Sequence, residues 1–347
     1  MEEEKKLYPF RLVALEDRFP WGTEQWQLAD LGWRDSAVRD GWLAANTMGE
    51  IMETYLDRIV GDEVFEWYGQ QFPFLVKRLK INGKMPLTVC PPDEIAVQRY
   101  DSLGREKLWY VLSAEKGARL MLGLRGEMDV SSFMEACADG SIENCLNSTG
   151  IKQGDVFHIP AGVPHCLSGK AEVLEISESS ALDFHIAGWG EALPEHETGL
   201  DLGLVEALDF INLGRFPAEH LTGISTEPRR DSDPENVLRL VSLPQFSCSL
   251  ISLAEPLRIS AGEGNSCVAY SCLRGELSVQ LPKEEDGKTP YLTVKSGETV
   301  LIPAECEEFF LVPMAPGTTL VETLVEHRSG QDSYIDPYAE EPIPGEE

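Results

Sequence analysis

The sequence predicts a mainly β protein built from two small antiparallel barrels with helical inserts, and three observations carry that prediction. Short apolar segments separated by turn residues recur through residues 72–176 and again from Leu238 to about Glu326, which is the pattern of strands rather than helices. One frame occurs twice, as Gly154–His165 and Gly297–Glu308, each behind a comparable strand pair, Leu108–Leu124 and Val268–Leu281. Such a repeat points to one folding unit used twice. The length, 347 residues, suits two domains at roughly 150 residues each.

Taken in order, residues 7–42 mix Trp21, Trp26, Trp33 and Trp42 with turn residues and read as irregular strands. Met48, Ile51, Met52, Tyr55, Leu56 and Ile59 recur at intervals of three and four, one face of a helix. Asp62-Glu63 opens a second short helix carrying Val64, Phe65 and Trp67, and Phe72–Val76 starts a buried strand. Strands follow at Leu87–Cys90, Leu108–Leu112, Arg119–Leu124, Val156–Ile159 and Ala171–Ile176, with helical inserts at Asp129–Ala138 and Ser141–Leu146. Residues 202–213 read as an amphipathic helix, and Asp231–Pro234 as a linker. The expected division is an N-terminal barrel domain over 1–200, a helical connector and linker over 201–234, a second barrel over 235–337 and an acidic disordered tail over 338–347.

Lys and Arg number 29 against 59 Asp and Glu, a net charge of −30. That field repels phosphate backbones and anionic lipid, so neither nucleic acid nor membrane is an expected partner. A small anionic ligand needs only a few local cations. Met1–Lys6 leads into no apolar run, so no signal peptide is expected, and no apolar stretch approaches the roughly 20 residues of a membrane span. Eight scattered cysteines without a C-x-x-C pair read as reduced thiols. The expected location is cytoplasmic.

The first copy of the repeat fits G-x5-P-x-G-x2-H, a turn, a strand and a Pro-Gly bend that aim the imidazole of His165 into a barrel mouth. This resembles the second cupin motif and implies two cupin (jelly-roll) β-barrels. Further segments, in order, resemble the type I mannose-6-phosphate isomerases in their short bacterial two-cupin form. They are Trp21-Gly22, Glu24-Gln25-Trp26, Phe72–Lys77, Leu87–Glu94, Gly104–Tyr110 and Pro160–His165, and the resemblance covers roughly residues 8–330.

The resemblance implies a zinc site whose ligand positions are Thr88, Cys90, Lys107 and His165. Only His165 stands as the family has it. Cys90 could ligate zinc as a thiolate if its pKa were lowered. Thr88 is a poor zinc ligand, and Lys107 places a cation where the metal charge would sit. Glu106 lies one residue from the expected carboxylate, but alternation turns it away from the barrel unless a bulge shifts the register. Arg105 stands for the lysine of the family's G-K-T-E segment, and His185 for its catalytic arginine. Arg105, His185 and Glu175 are the candidate catalytic residues; Lys77, Lys107 and Trp21 are candidate substrate contacts; His165 and Cys90 are the candidate metal ligands. Each has a plain counterpart: Cys90 a small buried hydrophobe, Trp21, Trp26 and Trp109 core, His158 structural. Lys77, Arg105, Lys107 and Arg99 could converge on a sugar phosphate or each pair with a carboxylate. Lys107 could also neutralise carboxylates such as Glu175 in place of a metal.

Losing ligands and the arginine, at about 3 kcal/mol for each key electrostatic group, removes several powers of ten in rate. The expected function is a mannose-6-phosphate isomerase-like protein that binds a sugar or sugar phosphate, with isomerase activity lost or much reduced and no cofactor. The alternative is an active zinc-dependent isomerase with an altered ligand set. A third is a metal-free enzyme using His165, His185 or Glu175 as acid or base on another sugar. The second barrel carries Glu308 where His165 stands in the first, so no site is expected there.

Overall fold

The computed structural model describes residues 5–190, 202–221, 236–260, 266–283 and 289–326; the linker over 231–234 and the tail over 338–347 lie outside them. The chain is mainly β and forms two cupin-type barrels. In the first, a ten-stranded sheet runs Phe184–Ala187, Leu87–Val89, His165–Glu178, Phe74–Lys84, Gly22–Leu28, Leu15–Phe19, with Lys107–Ala114, Arg119–Leu124, Leu146–Gly150 and Val156–Ile159 branching from it. The strand His165–Glu178 is 14 residues long and pairs antiparallel with Phe74–Lys84 on one edge and with Leu87–Val89, Lys107–Ala114 and Arg119–Leu124 elsewhere. It is the spine of the barrel.

The second barrel pairs a six-stranded sheet with a four-stranded one, the latter ordered Leu257–Ser260, Glu308–Pro313, Glu276–Gln280, Tyr291–Lys295. Its six-stranded sheet takes in Phe10–Arg11, which pairs with Thr299–Ile302. A strand from the start of the chain thus closes the edge of the far barrel.

The helical periodicity over 47–70 resolves into three pieces, Met48–Tyr55, Asp57–Val60 and Asp62–Tyr68. Thr47 and Glu50 start the first with a reciprocal capping box. Leu56 at φ +48° and Gly61 at φ +94° break the run, because left-handed backbone cannot continue the i to i−4 ladder. The helix expected over 202–213 is confined to Leu204–Ala207; its other apolar residues pack as loop against the first core. A helix over Asp93–Tyr100 follows Pro92, with Asp93 and Glu94 in its first turn, a start signal the sequence carries.

Alternation along the strands separates two cores. Leu79, Ile81, Val111 and Val173 fill the first barrel. Residues of opposite parity, Phe74, Val76, Leu108, Leu174 and Ile176, pack outward against the helices and against Leu240, Phe246, Ala269 and Val321 of the second barrel. Lys77, Trp109 and Glu175 share the parity of the first set and lie on the inner face.

Candidate functional site

One row of side chains crosses the first barrel. Strand register places Trp26 opposite Lys77, Lys77 opposite Glu175, Glu175 opposite Trp109 and Trp109 opposite Phe157. Residues directly opposite share a face, so charged groups meet aromatic rings in the interior. Lys77 Nζ stands 4.3 Å from the centre of the Trp26 ring and pairs with Glu24 at 3.1 Å and Glu175 at 3.2 Å. The indole of Trp109 donates to Glu175 Oε2 at 2.7 Å, and Arg105 Nη2 donates to Oε1 at 3.1 Å.

Arg105 also reaches Asp183 Oδ2 at 2.7 Å, bridging two carboxylates with the fork of its guanidinium. The other oxygen of Asp183 accepts from Lys107 Nζ at 2.6 Å and from the Cys90 thiol at 3.1 Å. Lys107 Nζ then lies 3.3 Å from His165 Nε2. The opposite ring nitrogen, Nδ1, is 2.9 Å from the carbonyl of Val163. A carbonyl can only accept, so Nδ1 carries the proton, and the lone pair on Nε2 accepts from the Lys107 ammonium.

The Pro160–His165 bend sets that ring. Gly162 has φ +77°, its N–H bonds the carbonyl of Cys90, and a Cβ there would come within 2.9 Å of Phe210 O. Only glycine fits so close to a neighbouring backbone.

Three cations, Lys77, Arg105 and Lys107, therefore face three carboxylates, Glu24, Glu175 and Asp183. The cations are at most 4% exposed, Glu175 is 2% exposed, and the cluster meets solvent through Asp183 at 21% and Glu24 at 14%. Burial opposes the charge on Arg105 and Lys107, but the facing carboxylates, Asp183 foremost, outweigh it and hold both above their usual values. Burial likewise raises Asp183 and Glu175, and the surrounding cations overcome it and hold both carboxyls below the ordinary range. Glu24 is pushed up by burial, which Lys77 offsets only in part. Burial and the neighbouring Lys107 ammonium take His165 down to about 3.

The donor set does not suit zinc. Cys90 is buried and its thiol is pushed up to about 12, mainly by burial, so it is a proton donor rather than a thiolate. Thr88 Oγ1 donates to the carbonyl of Pro86 at 3.3 Å. The one imidazole at the site has its coordinating lone pair on an ammonium. Among the described residues there is no group of three or more His, Cys, Asp or Glu side chains placed to hold a metal ion.

No protein-family model matches the chain. Curated relatives do. YvyI of Bacillus subtilis, named provisionally as a mannose-6-phosphate isomerase, is 24% identical over 306 residues, 86% of this chain and 90% of that protein. The chain is similar over most of its length to a protein named as a mannose-6-phosphate isomerase. GmuF of B. subtilis, also named provisionally, is 28% identical over 165 residues, 47% of this chain and 50% of its own; there the match spans half the relative's length. The crystal structure of the B. subtilis mannose 6-phosphate isomerase superposes with a TM-score of 0.72 at 19% identity, covering 91% of this chain and 99% of that one. A mannose 6-phosphate isomerase structure bound with zinc and yttrium gives 0.66 at 15% identity, covering 91% of this chain and 99% of its own. At such identities the likeness is one of fold.

Of the residues singled out from the sequence, Lys77, Arg105, Lys107, Glu175, His165 and Cys90 come together in this cluster. Trp21 does not: it is 8% exposed, stacked on Phe19 at 5.0 Å within the barrel core. His185 lies opposite Thr88 on Phe184–Ala187, half-buried, and is not among the partners of Arg105, Lys107 or Asp183 given above. Arg99 pairs with Asp209 at the surface. Glu106 turns away, its carboxylate held by His158 at 2.6 Å and the Ala161 N–H at 3.0 Å. Asp183 and Glu24 were not singled out as partners. Asp183 is two residues before His185 in the stretch matching the family's T-T-Y-R segment, where a new carboxylate among new cations was the available signal.

Proposed function

We propose that this relative of the mannose-6-phosphate isomerases has given up metal-dependent isomerisation and retains its first barrel domain as a sugar-binding module. The observation that carries this reading is the Lys107 ammonium, held between His165 Nε2 and Asp183 Oδ1. It supplies a fixed positive charge on the lone pair that would otherwise take a metal, without the open coordination position through which a metal polarises a carbonyl. Arg105 stays charged at any working pH and cannot carry a proton between carbons.

The ligand class follows from which charges are free. Each cation of the cluster already has a carboxylate partner, so a phosphate would have to displace Asp183 or Glu24. Beside the 179–182 segment, next in sequence to Asp183, lies a cavity of about 570 Å³ lined by Asp30, Trp33, Asp35, Glu50, Gln71 and Asp101 among others, with no Lys or Arg among the described residues of its wall. Carboxylates, an amide and an indole suit the hydroxyls and apolar face of an uncharged sugar better than they suit a phosphate.

The test is to incubate the protein with mannose 6-phosphate and follow fructose 6-phosphate, once with added zinc and once with EDTA. No turnover in either arm is expected. Turnover with zinc that EDTA abolishes would overturn the reading. In parallel, melting with uncharged hexoses is expected to shift the midpoint upward by more than the matching hexose phosphates do; the reverse order would overturn the assignment of ligand class.

A further inference from the structure

The strand that carries Glu175 and Ser177 inward turns Glu178 to the other face, into the seam between the barrels. Glu178 is wholly buried. Its Oε2 accepts from the Glu106 N–H at 2.7 Å, while Oε1 meets no N–H or O–H donor among the described residues. Its remaining hydrogen-bond neighbour is another carboxyl, that of Asp93. Asp93 begins the helix Asp93–Tyr100; its Oδ1 accepts from the Gly104 N–H at 2.8 Å, and its Oδ2 accepts from Gln245 Nε2 at 3.3 Å, a side chain of the second barrel.

Two buried carboxyl groups in contact, with no ion-pair partner for either among the described residues, cannot both be ionised. We propose that Asp93 and Glu178 share a single proton at neutral pH, and that this proton clamps the second barrel to the segment leading into Arg105 and Lys107. Asp93 is the carboxylate, because it already accepts two N–H groups; Glu178 supplies the O–H. The clamp spans the molecule: Gln245 on one side, then Asp93, then Glu178, then the backbone of Glu106, one residue from Arg105 and from Lys107, two of the three cations of the polar cluster. The inference is independent of whether the first barrel binds a sugar.

Among the described residues, the titratable groups that act on the pair most strongly are Tyr68, Glu94 and Glu106. Tyr68, from the helix Asp62–Tyr68, is buried and pushed well above its usual value by burial and by Glu178 and Asp93. Glu94 follows Asp93 on its helix, and Glu106 lies across the Glu178 strand with its carboxylate on His158. Burial foremost, then Asp93, raises Glu178 well above the ordinary carboxyl range. A raised folded-state value means stability that is complete below the unfolded carboxyl pKa of about 4.3 and is lost progressively as pH rises through the folded value. The clamp is tight in mild acid and loosens toward alkali.

Glu178→Gln keeps the shape and the hydrogen-bond donor while removing the proton's pH dependence. Melting the full-length protein and this variant between pH 5 and pH 9 is expected to show the wild-type midpoint falling relative to the variant by about 2 °C per pH unit over part of that range. Parallel curves would overturn the proposal. An infrared difference spectrum at pH 7 gives a readout that does not depend on stability: wild type minus Glu178→Gln should contain the carbonyl stretch of a protonated carboxyl, and a carboxylate band alone would overturn the shared proton.

Discussion

Lys107 Nζ sits 3.3 Å from His165 Nε2, on the unprotonated side of a ring whose other nitrogen is tied to the carbonyl of Val163. A lysine and a neutral histidine in contact inside a barrel need a carboxylate to hold the ammonium, and Asp183 is that carboxylate. The three residues form one unit, spread over 76 residues of sequence between Lys107 and Asp183.

Removing Lys107 leaves Asp183 with one cation instead of two. Lys107→Met is expected to destabilise the protein by about 3 kcal/mol or more, the usual cost of breaking a buried pair. Adding Asp183→Asn in the same chain should recover part of that loss, since the neutral amide no longer needs the ammonium. Urea unfolding of the two single variants and the double variant measures the coupling. Effects that add to within about 0.5 kcal/mol would show that the two side chains are not a unit.

Restoring donors should restore metal. The variant carrying Thr88→Gln, Cys90→His and Lys107→Glu places the ligand types implied by the family resemblance beside His165. After dialysis against zinc and then buffer it is expected to retain about one equivalent by elemental analysis, while the unaltered protein retains none. Zinc held stoichiometrically by the unaltered protein would contradict the role given to Lys107.

Acid should weaken the site through His165. Its folded value of about 3 lies below the unfolded value of about 6.5, so the unfolded chain binds the proton more readily between the two. Stability from this group is therefore full above about pH 6.5 and falls on acidification by up to about 1.4 kcal/mol per pH unit. The advantage of wild type over His165→Gln should shrink between pH 7 and pH 4.5; the raised carboxyls Glu24, Asp93 and Glu178 titrate in both proteins and cancel in the difference. Urea midpoints for both proteins across that window test this, and a constant difference would refute it.

Much of the fold could be read because alternation and turns are local. The Gly154–His165 frame and the short strands around it need only neighbouring residues to be recognised, and the barrel forms where they are. The charge cluster is different. Lys77, Arg105, Lys107 and Glu175 were visible as individual residues, but the sequence left open whether the cations converge freely or pair. Pairing is a matter of register between distant strands, as in the row Trp26, Lys77, Glu175, Trp109. Trp21 shows the converse: its place beside Gly22 in a motif marks it for attention, while its stacking on Phe19 is a local hairpin matter that puts it in the core. The helix over 202–213 failed because apolar residues at helical spacing, such as Leu204, Leu208 and Ile211, are equally well buried by a loop lying on the first core.

The pairing of Phe10–Arg11 with Thr299–Ile302 bears on biosynthesis. Phe10–Arg11 leaves the ribosome long before its partner Thr299–Ile302 is made, so this strand has no native neighbour in that sheet until the second barrel emerges. Phe10, with no exposed surface in the folded protein, lacks the cover of the second barrel throughout that interval. The nascent chain thus carries an unpaired strand and a partly uncovered aromatic over that interval, which opens this short segment to mispairing before its native partner is made.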